Sequence, residues 1–347
     1  MEKYVIVATK MRKTLKDVAR KAGVSVSVAS RALGSYGYVS RESQKKVLGA
    51  AEKIGYQSDY IAKGLKTQQT YTIGLIISDI TNSWFTPVVR AIEDVAEQNG
   101  YNLILCNSDE NPRKEIKYLE VLYGKKIDGL IIAVTGGNAA YLKRLVREGL
   151  PVVLLDRKIK GLRATQVSID NEYGAYEAVN HLIKLGHQRI GIINGLSRTT
   201  VGEDRFRGYK KALEDNDLPL DPSLIKYGDF RMEKAKKATQ EFIKMKNRPT
   251  ALFVANNVMV MGAFKALRKN KVKIPQEMAL VGFDDPEWAS LTEPPLTAVR
   301  QPTYSIGTMA CQALLQRIRK SDRRRFSEEE IVLKPKLIVR KSCGAGV

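Results

Sequence analysis

The chain contains few of the residues that build metal sites and disulfide frameworks. Its 347 residues include three cysteines (Cys106, Cys311 and Cys343) and two histidines (His181 and His187). Their spacing fits neither kind of site, so we expect no metal, no cofactor and a reducing, cytoplasmic environment. The sequence also has no apolar run long enough to cross a membrane and no signal-peptide pattern, so we expect no membrane partner.

Short motifs of several enzyme classes are also missing. The sequence contains no G-x-x-x-x-G-K-[ST], no G-x-G-x-x-G and no G-x-S-x-G. The best pair of carboxylates, Asp284 and Asp285, consists of neighbours, and the side chains of neighbouring residues usually point apart. A sugar-processing or nucleotide-dependent enzyme is therefore a remote alternative, and we expect no enzymatic activity.

Positive charge is abundant and concentrated toward the N-terminus. The chain has 58 Lys and Arg against 37 Asp and Glu, which gives a net charge of +21. Residues 1–70 carry +9 of this charge and the other 277 residues carry +12. Such a surplus favours association with a polyanion such as nucleic acid. A generally lysine-rich proteome explains the diffuse +12, but it explains the N-terminal +9 less well.

Residues 14–33 have the pattern of two short helices joined by a tight turn. Apolar residues spaced i, i+3, i+4, i+7 predict one buried face on the first helix, made of Leu15, Val18, Ala19 and Ala22. Gly23 follows at the position where a helix C-cap adopts the left-handed conformation. The small side chain of Ala19 permits two helices to cross closely, which favours a helix-turn-helix.

The second helix is predicted to carry residues that contact DNA. Ser25 is placed to cap it, and its inner face consists of Ala29, Ala32 and Leu33. Its outward residues are Val26, Ser27, Ser30 and Arg31. Short side chains with one guanidinium can touch base edges and phosphates in the major groove. Taken alone, this segment also fits an ordinary helical hairpin of a globular domain.

A third helix and a polar connector follow. Ser40 is the expected N-cap, Gly55 the expected end, and the apolar face consists of Val47, Ala50, Ala51 and Ile54. Residues 57–70 are polar, with a short apolar interruption at 60–65. Five or six residues cannot repay the cost of helix nucleation, so this segment is expected to be helical only on DNA.

From Tyr71 the pattern changes to alternating strands and helices. The predicted strands are Ile73–Ile77, Leu103–Cys106, Gly129–Val134, Val152–Leu155, Arg189–Ile193, Ala251–Val254 and Ala279–Phe283. Amphipathic stretches lie near 84–98, 113–123, 139–148, 203–215, 231–245 and 257–269. This alternation predicts parallel sheets with helices on both faces. Ligands in such sheets bind beyond the carboxyl ends of the strands.

Separate motifs along the chain resemble the lactose/galactose repressor (LacI/GalR) family. In the N-terminal part they include Thr14–Ala19, Ala22–Ser25, Ser30-Arg31, Gly55-Tyr56 and Ala62–Leu65. Later they include Asp156-Arg157, Arg205-x-x-Gly208, Gly282–Asp284 and Gln301-Pro302. The resemblance implies a small all-α helix-turn-helix headpiece, followed by an α/β periplasmic-binding-protein-like core of two doubly wound parallel-sheet lobes.

The same resemblance implies the domain boundaries. Residues 1–13 would be an N-terminal extension, 14–57 the helix-turn-helix DNA-binding domain, 58–70 the hinge helix and linker, and 71–347 the effector-binding and dimerisation core. Within that core, the N-lobe would comprise about 71–170 and 303–334, and the C-lobe about 171–302 and 335–345. Met11 resembles the usual start of the family more than Met1 does.

Carried over residue by residue, the DNA-binding positions of the family fall on the headpiece and the hinge. They are Thr14, Ser25, Val26, Ser27, Ser30, Arg31, Ala62, Lys63 and Leu65. The helix that begins near Ser25 would enter the major groove, and Leu65 would open a base step in the minor groove as an apolar wedge. A homodimer would read a near-palindromic double-stranded operator. Without DNA, Leu65 would pack against the core instead.

The resemblance also places an effector site between the lobes. Its residues would be Trp84, Phe85, Asp156, Arg157, Phe230, Asn256, Asp284 and Gln301. Carboxylates, amides, a guanidinium and aromatic faces are what a polyhydroxylated ring needs, which favours a sugar or sugar derivative. Glu203 stands where sugar-binding members often carry Arg, and Asn256-Asn257 replaces the usual Asn-Asp pair. A purine or protein corepressor therefore stays open, and a solute-binding protein fits the core but not the basic front.

Overall fold

The computed structural model describes residues 13–34, 37–56, 69–319 and 329–346. They belong to two compact units, Met1–Thr70 and Tyr71–Val347. The predicted hinge residues Ala62, Lys63 and Leu65 lie outside the described residues. Within the described ranges, no helix has both the length and the apolar character needed to cross a bilayer.

The described part of the first unit contains three helices, α1 (Leu15–Ala22), α2 (Val26–Gly34) and α3 (Arg41–Ile54). The Thr14 side chain accepts from the Asp17 amide, and the Asp17 carboxylate accepts from the Thr14 amide at 2.9 Å, which closes a capping box. Gly23 ends α1 with φ +67°, and Ser25 Oγ accepts from the Val28 amide at the start of α2. The end of α1 predicted at Gly23 and the cap of α2 predicted at Ser25 are therefore observed.

Small side chains hold these three helices together. The buried residues are Val18, Ala19, Ala29, Ala32, Val47, Ala50 and Ala51, with Leu15, Ala22, Leu33 and Ile54 partly buried around them. Five of the seven buried residues are alanines, so the helix backbones approach closely. This core leaves the outer face of α2 at the surface, where Val26 is 43% exposed.

The second unit contains two sheets built from twelve strands of the described chain. They are β1 (Thr72–Ile77), β2 (Asn102–Asn107), β3 (Gly129–Ile132), β4 (Val152–Leu155), β5 (Thr165–Ile169), β6 (Ile190–Asn194), β7 (Ile225–Tyr227), β8 (Ala251–Val254), β9 (Ala279–Phe283), β10 (Thr297–Arg300), β11 (Glu329–Leu333) and β12 (Lys336–Ile338). The sheet orders are β11-β5-β4-β3-β1-β2 and β12-β10-β9-β8-β6-β7. All pairs are parallel except β10 with β12. The two sheets, each with its helices, are called the N-lobe and the C-lobe below.

Helices cover both faces of each sheet. They are α4 (Phe85–Gln98), α5 (Pro112–Gly124), α6 (Ala139–Arg147), α7 (Asn171–Lys184), α8 (Thr200–Glu214), α9 (Met232–Lys244), α10 (Asn257–Lys269) and α11 (Thr303–Arg319). Along β1, Leu75 and Ile77 pack in one hydrophobic cluster with α4 and α11, whereas Ile76 packs in another with α5 and α6. Strand side chains alternate between the faces, so a strand covered on both sides reads as a continuous apolar run.

The chain passes between the lobes after β5, after β10 and after β11. The orders β2-β1-β3-β4-β5 and β7-β6-β8-β9-β10 are the same, which agrees with the similar sequences that open the two halves. The predicted fold class is therefore observed. The strands predicted at Val152–Leu155, Ala251–Val254 and Ala279–Phe283 have the observed bounds, whereas β3 ends two residues before the predicted Val134.

Glycines allow the helices of this unit to pack backbone against backbone. A Cβ at Gly208 of α8 would overlap the carbonyl oxygen of Glu172 in α7, and one at Gly262 of α10 would overlap that of Met232 in α9. In the N-lobe, a Cβ at Gly307 of α11 would overlap the carbonyl oxygen of Val88 in α4. A carbonyl in a helix cannot move aside as a flexible side chain can, so these positions require glycine.

We therefore expect Gly208→Ala to destabilise the core unit by roughly 1–3 kcal/mol or more, because the added methyl forces α7 and α8 apart. Gly124→Ala is the matched control, since no heavy atom lies within 4 Å of a Cβ there. It should be neutral or stabilise by up to about 1 kcal/mol through helix propensity. Urea denaturation of both variants measures the difference, and equal stabilities would contradict the packing account.

Candidate functional site

The strands of both lobes end at one cavity. Residues that directly follow strands form much of its wall: Ser78 and Asp79 after β1, Asp156 and Arg157 after β4, Asp284 after β9 and Gln301 after β10. Trp84 and Phe85 at the start of α4, Asn256 after β8, and Phe230 complete the predicted set. The structure thus brings all eight sequence-predicted effector residues to one place.

Further residues line the same cavity and were not predicted from the sequence to belong to a site. They are Ser78, Asp79, Asn82, Glu110, Val201 and Arg205. Arg205 could have been predicted from the sequence, because the Arg205-x-x-Gly208 motif belongs to the family resemblance. No sequence pattern indicates the role of Glu110, since its partner Arg157 is 47 residues away in the chain.

Arg157 is held by the N-lobe. Its Nη1 and Nη2 donate to the two oxygens of Glu110 at 2.7 and 2.5 Å, and Nη1 also donates to the Val134 carbonyl at 2.9 Å. Such a bidentate pair fixes the guanidinium in direction as well as in position. The guanidinium also lies over the Phe230 ring, 5.4 Å from its centroid. The two terminal nitrogens are therefore engaged by the protein itself.

Arg205 is held by the C-lobe. Its Nε donates to Asn171 Oδ1 at 2.8 Å and its Nη1 to the Ala255 carbonyl at 2.6 Å. The guanidinium stacks on Phe283, 3.6 Å from the ring centroid. Its charge lowers the pKa of both Asp156 and Asp284, against the larger effect of their burial. The two arginines thus compensate the carboxylates at the cavity.

Asp284 is buried and hydrogen-bonded within the C-lobe. Its Oδ1 accepts from Gln301 Nε2 at 2.6 Å and its Oδ2 from the Asn257 amide at 3.2 Å. Burial nevertheless raises the pKa of this carboxyl above its ordinary value. Its neighbour Asp285 is directed elsewhere and pairs with Arg300 and Arg340. The divergence of the two adjacent carboxylates is the one expected from the sequence.

Asp156 is less well compensated. Its carboxylate lies 3.8 Å from Arg157 Nε, and burial raises its pKa to about 6. Glu110 and Asp284 add to the rise, while Arg157 and Arg205 oppose it. This carboxyl therefore changes its charge near neutral pH.

Four residues at the cavity adopt the left-handed backbone conformation without being glycine. Glu110, Asp156, Phe230 and Asp284 have φ values of 53°, 66°, 58° and 71°. Such strain is concentrated at functional sites, where the surrounding structure imposes it. The Phe230 ring is seated directly against Gly195, where a Cβ would overlap it.

Three buried polar atoms of the cavity residues have no hydrogen-bond partner within the described protein. They are two donors, the Trp84 indole Nε1 and the Arg157 Nε, and one acceptor, the Gln301 Oε1. Leaving such groups unpaired costs about 1–3 kcal/mol each. The arrangement therefore suits a ligand that both accepts and donates hydrogen bonds, as a hydroxyl group does.

Contacts between the lobes close the cavity in this structure. Arg231 of the C-lobe donates to Asp109 Oδ1 at 3.0 Å, and Asn257 Nδ2 donates to Ser83 Oγ at 3.0 Å. The remaining cavity has a volume of about 30 Å³, room for about two water molecules. Asn256 faces it with an oxygen that already accepts from the Met259 amide at the start of α10. A larger ligand therefore requires the lobes to separate.

The predicted DNA-binding residues of the first unit have different environments. Thr14 uses its side chain to cap α1, and Ser25 Oγ is 2.9 Å from Ser27 Oγ. Val26 and Ser27 are exposed, and Ser30 and Arg31 are partly exposed. Arg31 Nε donates to the Ser27 carbonyl at 3.4 Å, along its own helix. The outer face of α2 thus presents short side chains with one guanidinium.

Comparisons with known proteins agree with this architecture. Residues 14–59 match the lacI family of bacterial regulatory proteins, and residues 179–343 match a periplasmic binding protein-like domain. The HTH-type transcriptional repressor PurR of Photobacterium profundum is 34% identical over 331 residues, which cover 95% of this chain and 98% of the repressor. Catabolite control protein A of Priestia megaterium is 33% identical over 311 residues, or 89% of this chain and 94% of that protein.

Solved structures show the same likeness. The lac repressor dimer bound to operator and the anti-inducer ONPF superposes with a TM-score of 0.83 at 26% identity, covering 96% of this chain and 99% of the repressor. The complex of transcriptional regulator CelR with cellobiose has a TM-score of 0.71 at 28% identity, over 95% and 100% of the two chains.

A helix-turn-helix unit followed by a two-lobed binding-protein core defines a class of bacterial DNA-binding regulators. Full-length relatives above 30% identity narrow the class further, and the chain belongs to the lacI family. The resemblance seen in the sequence is confirmed. The chain is a DNA-binding transcriptional repressor of this family, and its relatives named above are transcriptional regulators.

The raised pKa of Asp156 predicts the stability of an Asp156→Asn variant. Between pH 4 and 6 the carboxyl of the folded protein keeps a proton that the carboxyl of the unfolded chain releases. The free energy of unfolding therefore falls as pH rises through this range, and the whole loss is present above pH 6. A shift from 3.8 to about 6 corresponds to roughly 3 kcal/mol. Asparagine removes this cost and tolerates the left-handed backbone.

We expect Asp156→Asn to raise the melting temperature at pH 7.5 and to change it little at pH 4.5. Thermal denaturation of both proteins at the two pH values measures this. A difference that is independent of pH would show that Asp156 is not the buried carboxyl described.

Proposed function

We propose that this repressor is controlled by a small polyhydroxylated effector, a sugar or sugar derivative, that binds in the cavity between the lobes. The observation that carries the proposal is that Trp84 Nε1 and Gln301 Oε1 are both buried without a hydrogen-bond partner, in a cavity whose wall includes the carboxylates of Asp156 and Asp284. Ionised carboxylates accept hydrogen bonds from hydroxyls, and the ring of Trp84 or Phe230 covers an apolar sugar face. The cellobiose complex of CelR supports a carbohydrate in a core of this kind.

The proposed mechanism is a shift between lobe arrangements. Asp156 and Arg157 belong to the N-lobe, and Asp284 and Gln301 to the C-lobe, so a ligand that bonds to both sets stabilises one spacing of the lobes. Its effect on DNA affinity equals its difference in affinity for the two arrangements and no more. The C-terminal residues of the first unit lead directly into β1 of the N-lobe, which gives this shift a covalent route to the headpiece.

We further propose that the chain acts as a homodimer on a near-palindromic operator. In this arrangement two copies of α2 occupy successive major grooves, and two copies of Leu65 open the central step. The lac repressor dimer on its operator supports this assembly. The surplus of positive charge in residues 1–70 supplies the contacts with phosphates.

Removal of the first unit should abolish specific DNA binding. We expect residues 71–347 to fail to retard an operator fragment that the full chain retards, because α2 and most of the phosphate contacts are absent. Binding by the full chain should weaken steeply with salt as counterions are released. Electrophoretic mobility shifts at several salt concentrations measure both effects. Equal retardation by the shortened chain would overturn the assignment of the headpiece.

The effector should be found by a thermal-shift screen of sugars, sugar phosphates and purines, and then tested with the two tryptophans of the chain. Trp84→Phe keeps an aromatic ring but removes the unpaired indole donor, so the affinity for the effector should fall about tenfold, as for one lost hydrogen bond to a buried partner. Operator binding without effector should not change.

Trp288→Phe is the matched control, because Trp288 packs against the core away from the cavity wall. In that variant, Trp84 is the remaining tryptophan, and its fluorescence should report effector binding directly. A Trp84→Phe variant that binds the sugar with unchanged affinity would contradict the proposed site, and a stabilising purine in place of a sugar would contradict the ligand class.

A further inference from the structure

A second cavity lies beside the first, and Arg157 belongs to the walls of both. Its volume is about 260 Å³, compared with about 30 Å³ for the first. Lys158 and Lys160 line it from the N-lobe, where they follow Arg157 in the loop after β4. Arg198 and Thr200 line it from the C-lobe. This cavity has room for a small ligand while the lobes are closed.

The charged side chains around this second cavity are mainly cationic. Arg198 donates from Nε to the Thr135 carbonyl at 3.3 Å and from Nη2 to the Glu110 carbonyl at 3.2 Å, and both acceptors are uncharged. In the described parts of the chain, neither Arg198 nor Lys160 forms an ion pair. Lys158 pairs with Glu330. Glu203 is the acidic residue of the wall, so positive charge is left uncompensated.

Hydrogen-bond donors also converge on this cavity. Helix α8 begins there with Thr200, and its N-cap residue Thr199 accepts from the Gly202 amide at 3.3 Å, which leaves the first amides of a fifteen-residue helix without acceptors of their own. The positive end of the helix dipole favours an anion at this place. Independently, Arg157 of the cavity wall has a side chain that is 6% exposed, and its Nε has no hydrogen-bond partner within the described protein, the Asp156 carboxylate lying 3.8 Å away.

We propose that the second cavity binds a phosphate-class anion, either free phosphate or the phosphoryl group of a phosphorylated sugar whose ring occupies the first cavity. Such an anion presents several acceptor oxygens and no apolar surface, which suits three cations and a helix N-terminus. It bridges Lys158 and Lys160 of the N-lobe to Arg198 and α8 of the C-lobe, and thereby fixes the spacing of the lobes. The consequence for DNA binding rests on the proposed function, whereas anion binding itself does not.

Calorimetric titration of the full chain with sodium phosphate, at constant ionic strength maintained with chloride, tests the anion site. We expect saturable binding of phosphate that weakens about tenfold in Arg198→Gln and measurably in Lys160→Gln. Because Lys160 is exposed, its replacement should leave folding intact. Lys210→Gln removes a cation from α8 outside the cavity, and Arg31→Gln removes one from the headpiece. Both controls should bind phosphate as the unaltered chain does.

The source of the anion follows from a second titration with a sugar phosphate identified in the screen. If the phosphoryl group and the ring occupy adjacent cavities, both Arg198→Gln and Trp84→Phe weaken its binding, whereas free phosphate responds only to Arg198→Gln. Either pattern supports the site. Absence of saturable phosphate and sugar-phosphate binding, or equal losses in Lys160→Gln and Lys210→Gln, overturns it. If the anion site is overturned in this way, binding of a neutral sugar that persists in Arg198→Gln would still support the proposed effector function.

Discussion

The compensation of buried carboxylates by two buried arginines is the constraint on which the core depends. Glu110 and Asp284 are buried at the junction of the lobes, the Asp156 side chain there is only 12% exposed, and Arg157 and Arg205 supply the opposing charge. Each arginine also bonds to carbonyl or amide oxygens of its own lobe, so it fixes strand ends as well as charge. Breaking a buried pair by removing one partner typically costs 3–5 kcal/mol. The same groups that hold the lobes in shape therefore form the polar wall of the cavity.

Much of the fold follows from local patterns in the sequence, whereas the missing elements depend on tertiary contacts. Continuous apolar runs such as Val152–Leu155 predict buried parallel strands with the observed bounds, and Gly23, Ser25 and Gly55 mark helix ends because their chemistry acts over a few residues. The edge strand β7 has three residues with partly exposed side chains, too few for a periodic signal. Helix α11 went unassigned because it is buried on several sides, with even Arg317 covered, so its amphipathic pattern is weak.

The candidate site likewise combines residues that local sequence patterns predict with residues whose roles depend on tertiary contacts. Trp84, Asp156 and Asp284 were found because they follow strands in family motifs, and their convergence on one cavity follows from the parallel topology. Glu110 was not assigned, because its role depends on a contact with a residue 47 positions away. The pKa of Asp156 is likewise a property of the assembled lobes. Sequence patterns thus indicate which residues reach the cavity, and packing determines which of them have polar atoms left for a ligand.

The closure of the lobes rests on individually weak interactions. Arg231 is 38% exposed and Asp109 51% exposed, so this ion pair contributes at most about 1 kcal/mol in water. The Asn257–Ser83 contact is one hydrogen bond and Arg198 makes two, each worth about 1 kcal/mol net. Against them stands the raised free energy of the buried Asp156 carboxylate. A balance of this size is within reach of the few kcal/mol that one small polar ligand provides, which makes the position of the lobes, rather than their internal structure, the property that an effector can change.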